Sequence, residues 1–155
     1  MTVQIGAPAP DFALKDQHGQ TVRLADFAGG QNVALVFYPF AFSGICTGEL
    51  CELRDNLGIF ADANVQLVGV SCDPMHAQRA WAEQEKYEFP LLSDFWPHGD
   101  VAQRYGVFNE TTGFANRGSF LIDIDGIVRF AECNEPGVGR DPQRWKDEIA
   151  ALLAD

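Results

Sequence analysis

Residues 33–38 read Val-Ala-Leu-Val-Phe-Tyr without a polar position, and the run then meets Pro39. An unbroken apolar stretch of that length is the pattern of a strand covered on both faces. Residues 65–71 predict a second buried strand, closed by Asp73 and Pro74. Between the two the period changes. Leu50, Leu53, Leu57 and Phe60 recur at helical spacing and predict one helix over residues 46–61, opened by Cys46. Further on, residues 77–87 predict a polar helix carrying Ala80 and Trp81, residues 89–92 a short strand, and residues 100–105 a short helix. Alternation at Phe12, Ala13 and Leu14 and again over 21–24, around Asp16 and Gly19, predicts an N-terminal β-hairpin. The strongest hairpin signal covers residues 119–124 and 127–131, joined by Asp125-Gly126, a pair that supplies the positive φ angles of a tight turn. Asp141 as N-cap and Pro142 at the first helical position start a last helix running to about Leu153.

This order predicts an α/β fold, a mixed sheet flanked by helices with the N-terminal hairpin as an extension. With 155 residues and 46% hydrophobic content, one domain over residues 1–155 is expected, since a chain of this size buries roughly 68–70% of its unfolded surface. A formal net charge of −11 argues against nucleic acid or an anionic membrane as partner. Residues 1–12 have neither a basic segment nor an apolar core of a signal peptide. The longest apolar run is far short of the ~20 residues a membrane span needs. Four cysteines in this setting do not resemble a secreted disulfide framework, so the reducing cytoplasm is the expected location.

The candidate chemistry lies after the first buried strand. Cys46 stands at a helix start, where backbone N–H groups converge and the helix dipole is positive, a setting that favours a thiolate. Cys51 follows at C-x4-C spacing. Each residue there has a plainer reading. Cys46 reads equally as a buried inert thiol, Ser43 as an N-cap and Pro39 as the end of a strand. Arg117 reads as a solvated edge charge, Glu49 as a helix-surface carboxylate and Cys51 as a small core residue.

The segment Pro39-x-x-x-Ser43-x-x-Cys46 resembles the P-x-x-x-(T/S)-x-x-C motif of the peroxiredoxins. Residues 116–123, Asn-Arg-Gly-Ser-Phe-Leu-Ile-Asp, resemble the arginine-bearing strand of that family, and residues 6–12 its N-terminal signature. Residues 92–99 and 106–110 resemble its alkyl hydroperoxide reductase E type. The element order matches a thioredoxin-like core. The resemblance implies a thiol-dependent peroxidase acting on hydrogen peroxide and organic hydroperoxides, with no cofactor. Cys46 is then the thiolate that attacks the O–O bond and becomes a sulfenic acid. Ser43, the N–H groups near Cys46 and Arg117 hold the peroxide and stabilise charge on the departing oxygen. Pro39 shields the thiolate from water, and Glu49, one turn from Cys46, orients Arg117. A homodimer packed near the active-site loop is also implied, in keeping with Phe40, Phe42, Phe95, Trp96 and Phe108 nearby in sequence.

Cys51 leaves two recycling routes open. The E type needs no second thiol there, whereas C-x4-C resembles the Q type (bacterioferritin-comigratory proteins), in which the second thiol resolves the sulfenic acid. Residues five apart on a helix have Cα atoms roughly 8–9 Å apart, and a disulfide needs about 4.4–6.8 Å. The first turn must therefore unwind, which Gly44 and Gly48 make easier. The reductant is then a thiol: thioredoxin, a glutaredoxin-like mycoredoxin with mycothiol, or another. Cys72 and Cys133 carry no motif and read as structural. Rival readings are a thiol-disulfide oxidoreductase, which usually needs C-x2-C, and a redox sensor oxidised without turnover. His18, His76 and His98 are scattered, which argues against a metal site.

Overall fold

The two buried strands form where the apolar runs place them. In the computed structural model, which describes residues 3–154, β3 is Asn32–Phe37 and β4 is Val65–Ser71, paired in parallel at the centre of a mixed sheet. Met1, Thr2 and Asp155, the ends of the expected domain and the start of residues 1–12, lie outside the described residues. The remaining elements are β1 (Ala13–Lys15), β2 (Thr21–Arg23), α1 (Gly44–Asp55), α2 (Leu57–Asp62), α3 (Met75–Glu85), β5 (Leu91–Ser93), α4 (Asp100–Arg104), β6 (Phe108–Asn109), β7 (Phe114–Ala115), β8 (Arg117–Ile122), β9 (Val128–Asn134) and α5 (Pro142–Leu153). The strand order is β2-β1-β5-β4-β3-β8-β9, with β6 and β7 paired separately. β5 lies parallel to β4, β8 antiparallel to β3, and the hairpin β1–β2 joins antiparallel to β5.

Period-two alternation on β3 divides the core between the sheet's faces. Ala34, Val36 and Tyr38 pack with Leu50, Phe60, Trp81 and Trp145, so α1, α2, α3 and α5 cover one face. Leu35 and Phe37 pack with Val70, Val101, Tyr105 and Phe120 on the face that carries α4.

Three expectations are corrected. The helix expected over residues 46–61 is two helices that meet at Asn56, whose backbone (φ −117°, ψ 19°) is not helical. Its side-chain amide donates to the Glu52 carbonyl at 2.8 Å, local competition with the helical ladder that asparagine favours. Cys46 does not open the first helix: Ser43 is the N-cap and Cys46 the third helical residue. The hairpin expected around Asp125-Gly126 has a wider loop, closed by Asp123 N–H to the Ile127 carbonyl at 2.9 Å. The Asp123 carboxylate accepts from the N–H groups of Asp125 and Ile127, and Gly126 takes φ +81°. Both strands shift away from the loop, so β8 begins at Arg117.

Candidate active site

β3 delivers the chain into a loop, residues 39–43, that the sheet holds from below. The Asp73 carboxylate, just past β4, accepts the Ala41 N–H at 2.8 Å and the Ser71 hydroxyl at 2.6 Å. Ser71 accepts in turn from Gln78, which accepts the Tyr38 hydroxyl at 2.5 Å. The loop pays for its shape at Phe42, whose φ of +68° is unusual for a residue with a side chain. It ends at Ser43, where the hydroxyl accepts the Cys46 N–H at 3.3 Å.

Cys46 is fully buried and its sulfur meets a guanidinium: Arg117 Nη1 donates to Sγ at 3.2 Å. The same nitrogen lies 2.5 Å from Glu49 Oε1, and Arg117 Nε donates to the Pro136 carbonyl at 2.7 Å. Arg117 is thus no solvated edge charge; its side chain is 3% exposed. A cleft of about 280 Å³ opens in front, lined by Pro39, Phe40, Ser43, Phe114, Arg117 and Pro136. A larger cavity, about 340 Å³, lies against Glu49 and Arg140 and is lined by Leu53, Pro142 and Trp145, without Pro39, Ser43 or Arg117.

Arg140 is the site residue that sequence reasoning missed. It precedes α5, and its guanidinium donates to Glu49 Oε1 at 2.8 Å, to Ser119 Oγ at 2.7 Å and to the carbonyls of Gly118 and Phe37. Its N–H meets Glu49 Oε2 at 2.5 Å. Burial draws this guanidinium down to about 10, with Glu49 pulling the other way and Arg117 adding repulsion. Glu49 therefore sits between two buried arginines. In sequence, Val138-Gly139-Arg140 ahead of a helix cap looks like any surface turn.

The second thiol is half-buried on α1, its Sγ donating to Glu85 Oε2 at 3.3 Å and lying 3.4 Å from Tyr87 Oη. All four cysteines are free. Burial, with Asp94 and Asp73 adding repulsion, pushes the Cys72 thiol up to about 12, and burial also raises Cys133. No group of metal-ligating side chains occurs among the described residues, nor is any helix there long and apolar enough to cross a membrane.

The chain matches the AhpC/TSA family over residues 5–131. It is 52% identical over 152 residues to alkyl hydroperoxide reductase E of Mycobacterium tuberculosis and of Mycobacterium bovis, covering 98% of this chain and 99% of each relative. Among solved structures, peroxidoxin BcpB from Mycobacterium tuberculosis superposes with a TM-score of 0.85 at 34% identity, over 98% of this chain and 97% of that one. The reduced 2-Cys peroxiredoxin of Plasmodium vivax gives 0.87 at 28% identity, over 97% and 82%. The thioredoxin-like fold is shared with these peroxiredoxins. With half of its positions shared from end to end with enzymes of this kind, the chain belongs to the AhpC/TSA family and is a peroxiredoxin, a thiol-dependent peroxidase.

Proposed function

We propose that Cys46 is the thiol that reduces the peroxide, and that it acts on hydrogen peroxide and organic hydroperoxides. One observation carries the reading: Arg117 Nη1 bonds both Cys46 Sγ and Glu49, and the same Arg117 lines a cleft with Pro39 and Ser43. Two guanidiniums and one carboxylate leave a unit of positive charge there, which a thiolate neutralises. The thiolate sulfur attacks the nearer peroxide oxygen. The S–O bond forms as the O–O bond breaks, sulfur gives up two electrons, the attacked oxygen keeps its proton in the sulfenic acid, and the departing hydroxide or alkoxide takes a proton from solvent.

The chain's side chains divide that work. Arg117 donates to the peroxide oxygens and to the sulfur, an electrostatic preorganisation that costs no rearrangement during the reaction. Ser43, whose oxygen accepts from Cys46 N–H, keeps its own O–H to donate to the substrate. Pro39 keeps water from the thiolate. Glu49 fixes the direction of Arg117, and Arg140 fixes Glu49.

The sulfenic acid is recycled through a disulfide with Cys51 or directly by an external thiol, with thioredoxin or a mycoredoxin with mycothiol as reductant. The enzyme works as one domain over residues 1–155 in the cytoplasm. It forms a homodimer, and exposed Phe40, Phe42, Phe95 and Trp96 are its contact candidates. The test is Cys46→Ser, nearly isosteric and a far poorer nucleophile. It is expected to abolish peroxide consumption with a dithiol reductant while the fold survives. Retention of more than a small fraction of the rate would overturn the reading.

A further inference from the structure

Cys51 sits among groups that a merely space-filling thiol does not need. Its proton points at a carboxylate, Glu85 Oε2 at 3.3 Å, and the Tyr87 hydroxyl lies at 3.4 Å. Arg54 completes the set from α1. Its Nη1 donates to the Glu85 carbonyl at 2.6 Å and lies 3.7 Å from the carboxylate. Glu85 is the last residue of α3 and Tyr87 lies just past its left-handed cap, Lys86, so neither is on the helix that carries the thiol they hold. Burial, reinforced by the thiol itself, keeps the Tyr87 hydroxyl protonated well beyond the usual range. Glu85 is thus the proton acceptor within reach.

The same two segments hold the helix between the cysteines. Tyr87 Oη donates to the Thr47 carbonyl at 3.4 Å, and Trp81 Nε1 to Thr47 Oγ1 at 3.3 Å. In a regular helix the Thr47 carbonyl accepts from the Cys51 N–H. With Tyr87 beside it, that carbonyl keeps a partner when the helical bond is broken. Gly44 and Gly48 weaken the turn, and neither is required by packing, since a Cβ at either position would meet nothing within 4 Å.

We propose that Glu85 is the catalytic base for a disulfide between Cys51 and oxidised Cys46, with the end of α3 holding Cys51 while the turn of residues 44–48 unwinds towards it. The inference rests on the peroxidase reading of Cys46. Glu85 takes the Cys51 proton, and the Cys51 thiolate attacks the Cys46 sulfur. The S–S bond forms and the S–O bond breaks. Hydroxide leaves and becomes water with the proton that Glu85 held. Cys51 is oxidised and the Cys46 sulfenic acid is reduced, both to the disulfide level, so no further oxidant enters.

The experiment follows the mass of the protein by rapid quench after one equivalent of peroxide, in the wild type, Glu85→Gln and Glu85→Asp. Glutamine keeps the size and an acceptor oxygen, so a purely structural contact survives in it and only the base is lost. All three are expected to gain one oxygen equally fast. The wild type and Glu85→Asp then pass to a loss of two hydrogens. Glu85→Gln holds the oxygen longer, by up to about thirtyfold at pH 7, because an unassisted thiol is ~3% ionised there. The charged or titratable groups facing Cys51 are Arg54, Glu85 and Tyr87, and with Glu85 neutralised the deficit closes towards pH 9. Glu85→Ala repeats the test, with added acetate expected to restore the rate. A Glu85→Gln enzyme that forms the disulfide at the wild-type rate overturns the proposal. A wild type that keeps the oxygen overturns it while leaving the peroxidase reading intact, and a wild type that takes up no oxygen overturns both.

Discussion

Arg117→Ala separates two contributions that act through one nitrogen. The guanidinium lies 3.2 Å from Cys46 Sγ. At that distance two unit charges attract by about 5 kcal/mol at an effective dielectric of 20, an upper figure, and a hydrogen bond to a charged group contributes about 1.5–3 kcal/mol net. If Arg117 only favours the thiolate, its loss acts through the ionised fraction alone. Falling from fully ionised to the ~3% of an ordinary thiol at pH 7 costs about thirtyfold, or ~2 kcal/mol, burial of Cys46 adds to that, and the whole deficit vanishes once the thiol is ionised. A missing transition-state donor costs roughly 10²–10³-fold more and persists at any pH. The expected result is therefore a loss of at least about 10²-fold at pH 7 that only partly recovers by pH 9. The fold should survive, because Glu49 keeps Arg140 at 2.8 Å and is not left as an unpaired buried charge. Stopped-flow fluorescence from pH 5 to 9 is the assay, with Trp81 as the reporter through its bond to Thr47, the neighbour of Cys46. A mutant that regains the wild-type rate once fully ionised would refute the donor role.

Arg140→Met leaves Glu49 paired with Arg117 but strips the donor from three further buried acceptors, so stability should fall by at least about 1–3 kcal/mol, the cost of one unsatisfied buried group, and peroxide reduction should slow; a urea midpoint within error of the wild type would refute this. Burial pushes the Asp94 carboxyl up to about 6 although it accepts the N–H groups of Val101 and Ala102. The folded state then holds this proton more tightly than the unfolded chain, so this group's share of stability is present below about pH 4 and lost as pH rises through 6, about 3 kcal/mol at most. Asp94→Asn should flatten that slope in denaturation measured at pH 4 and pH 6.5. Sedimentation velocity at micromolar concentration should show a dimer, and a clean monomer mass would count against it.

Much of the fold was legible because it rests on local pattern. The runs over 33–38 and 65–71 have the length and β-branched content of buried strands, and Asp141-Pro142 caps α5 as the residue types require. The break at Asn56 was hidden by leucines that keep helical spacing across it, since apolar periodicity does not register one non-helical residue. The pair β6–β7, two residues in each strand, is too short to carry a period. Within the site, Cys46, Ser43 and Pro39 share one short segment, so their spacing announced them. Arg117 was brought in by resemblance and Glu49 by its place one turn from Cys46, and the structure joins them at 2.5 Å. Arg140 had neither route: its partners Glu49, Ser119, Phe37 and Gly118 lie on α1, β8 and β3, and only the folded chain brings them to one guanidinium.

The contact between Glu49 and Arg140 spans 91 residues of chain. During synthesis at about 5–20 residues per second, some 5–20 s pass between the appearance of the first and of the second. In that interval the nascent polypeptide carries the segment of Cys46, the proposed nucleophile, without the second of the two cations that hold Glu49. Reactivity is therefore acquired late, when α5 docks. An unfinished or truncated product ending before residue 140 should be a poor scavenger however well its earlier strands have formed.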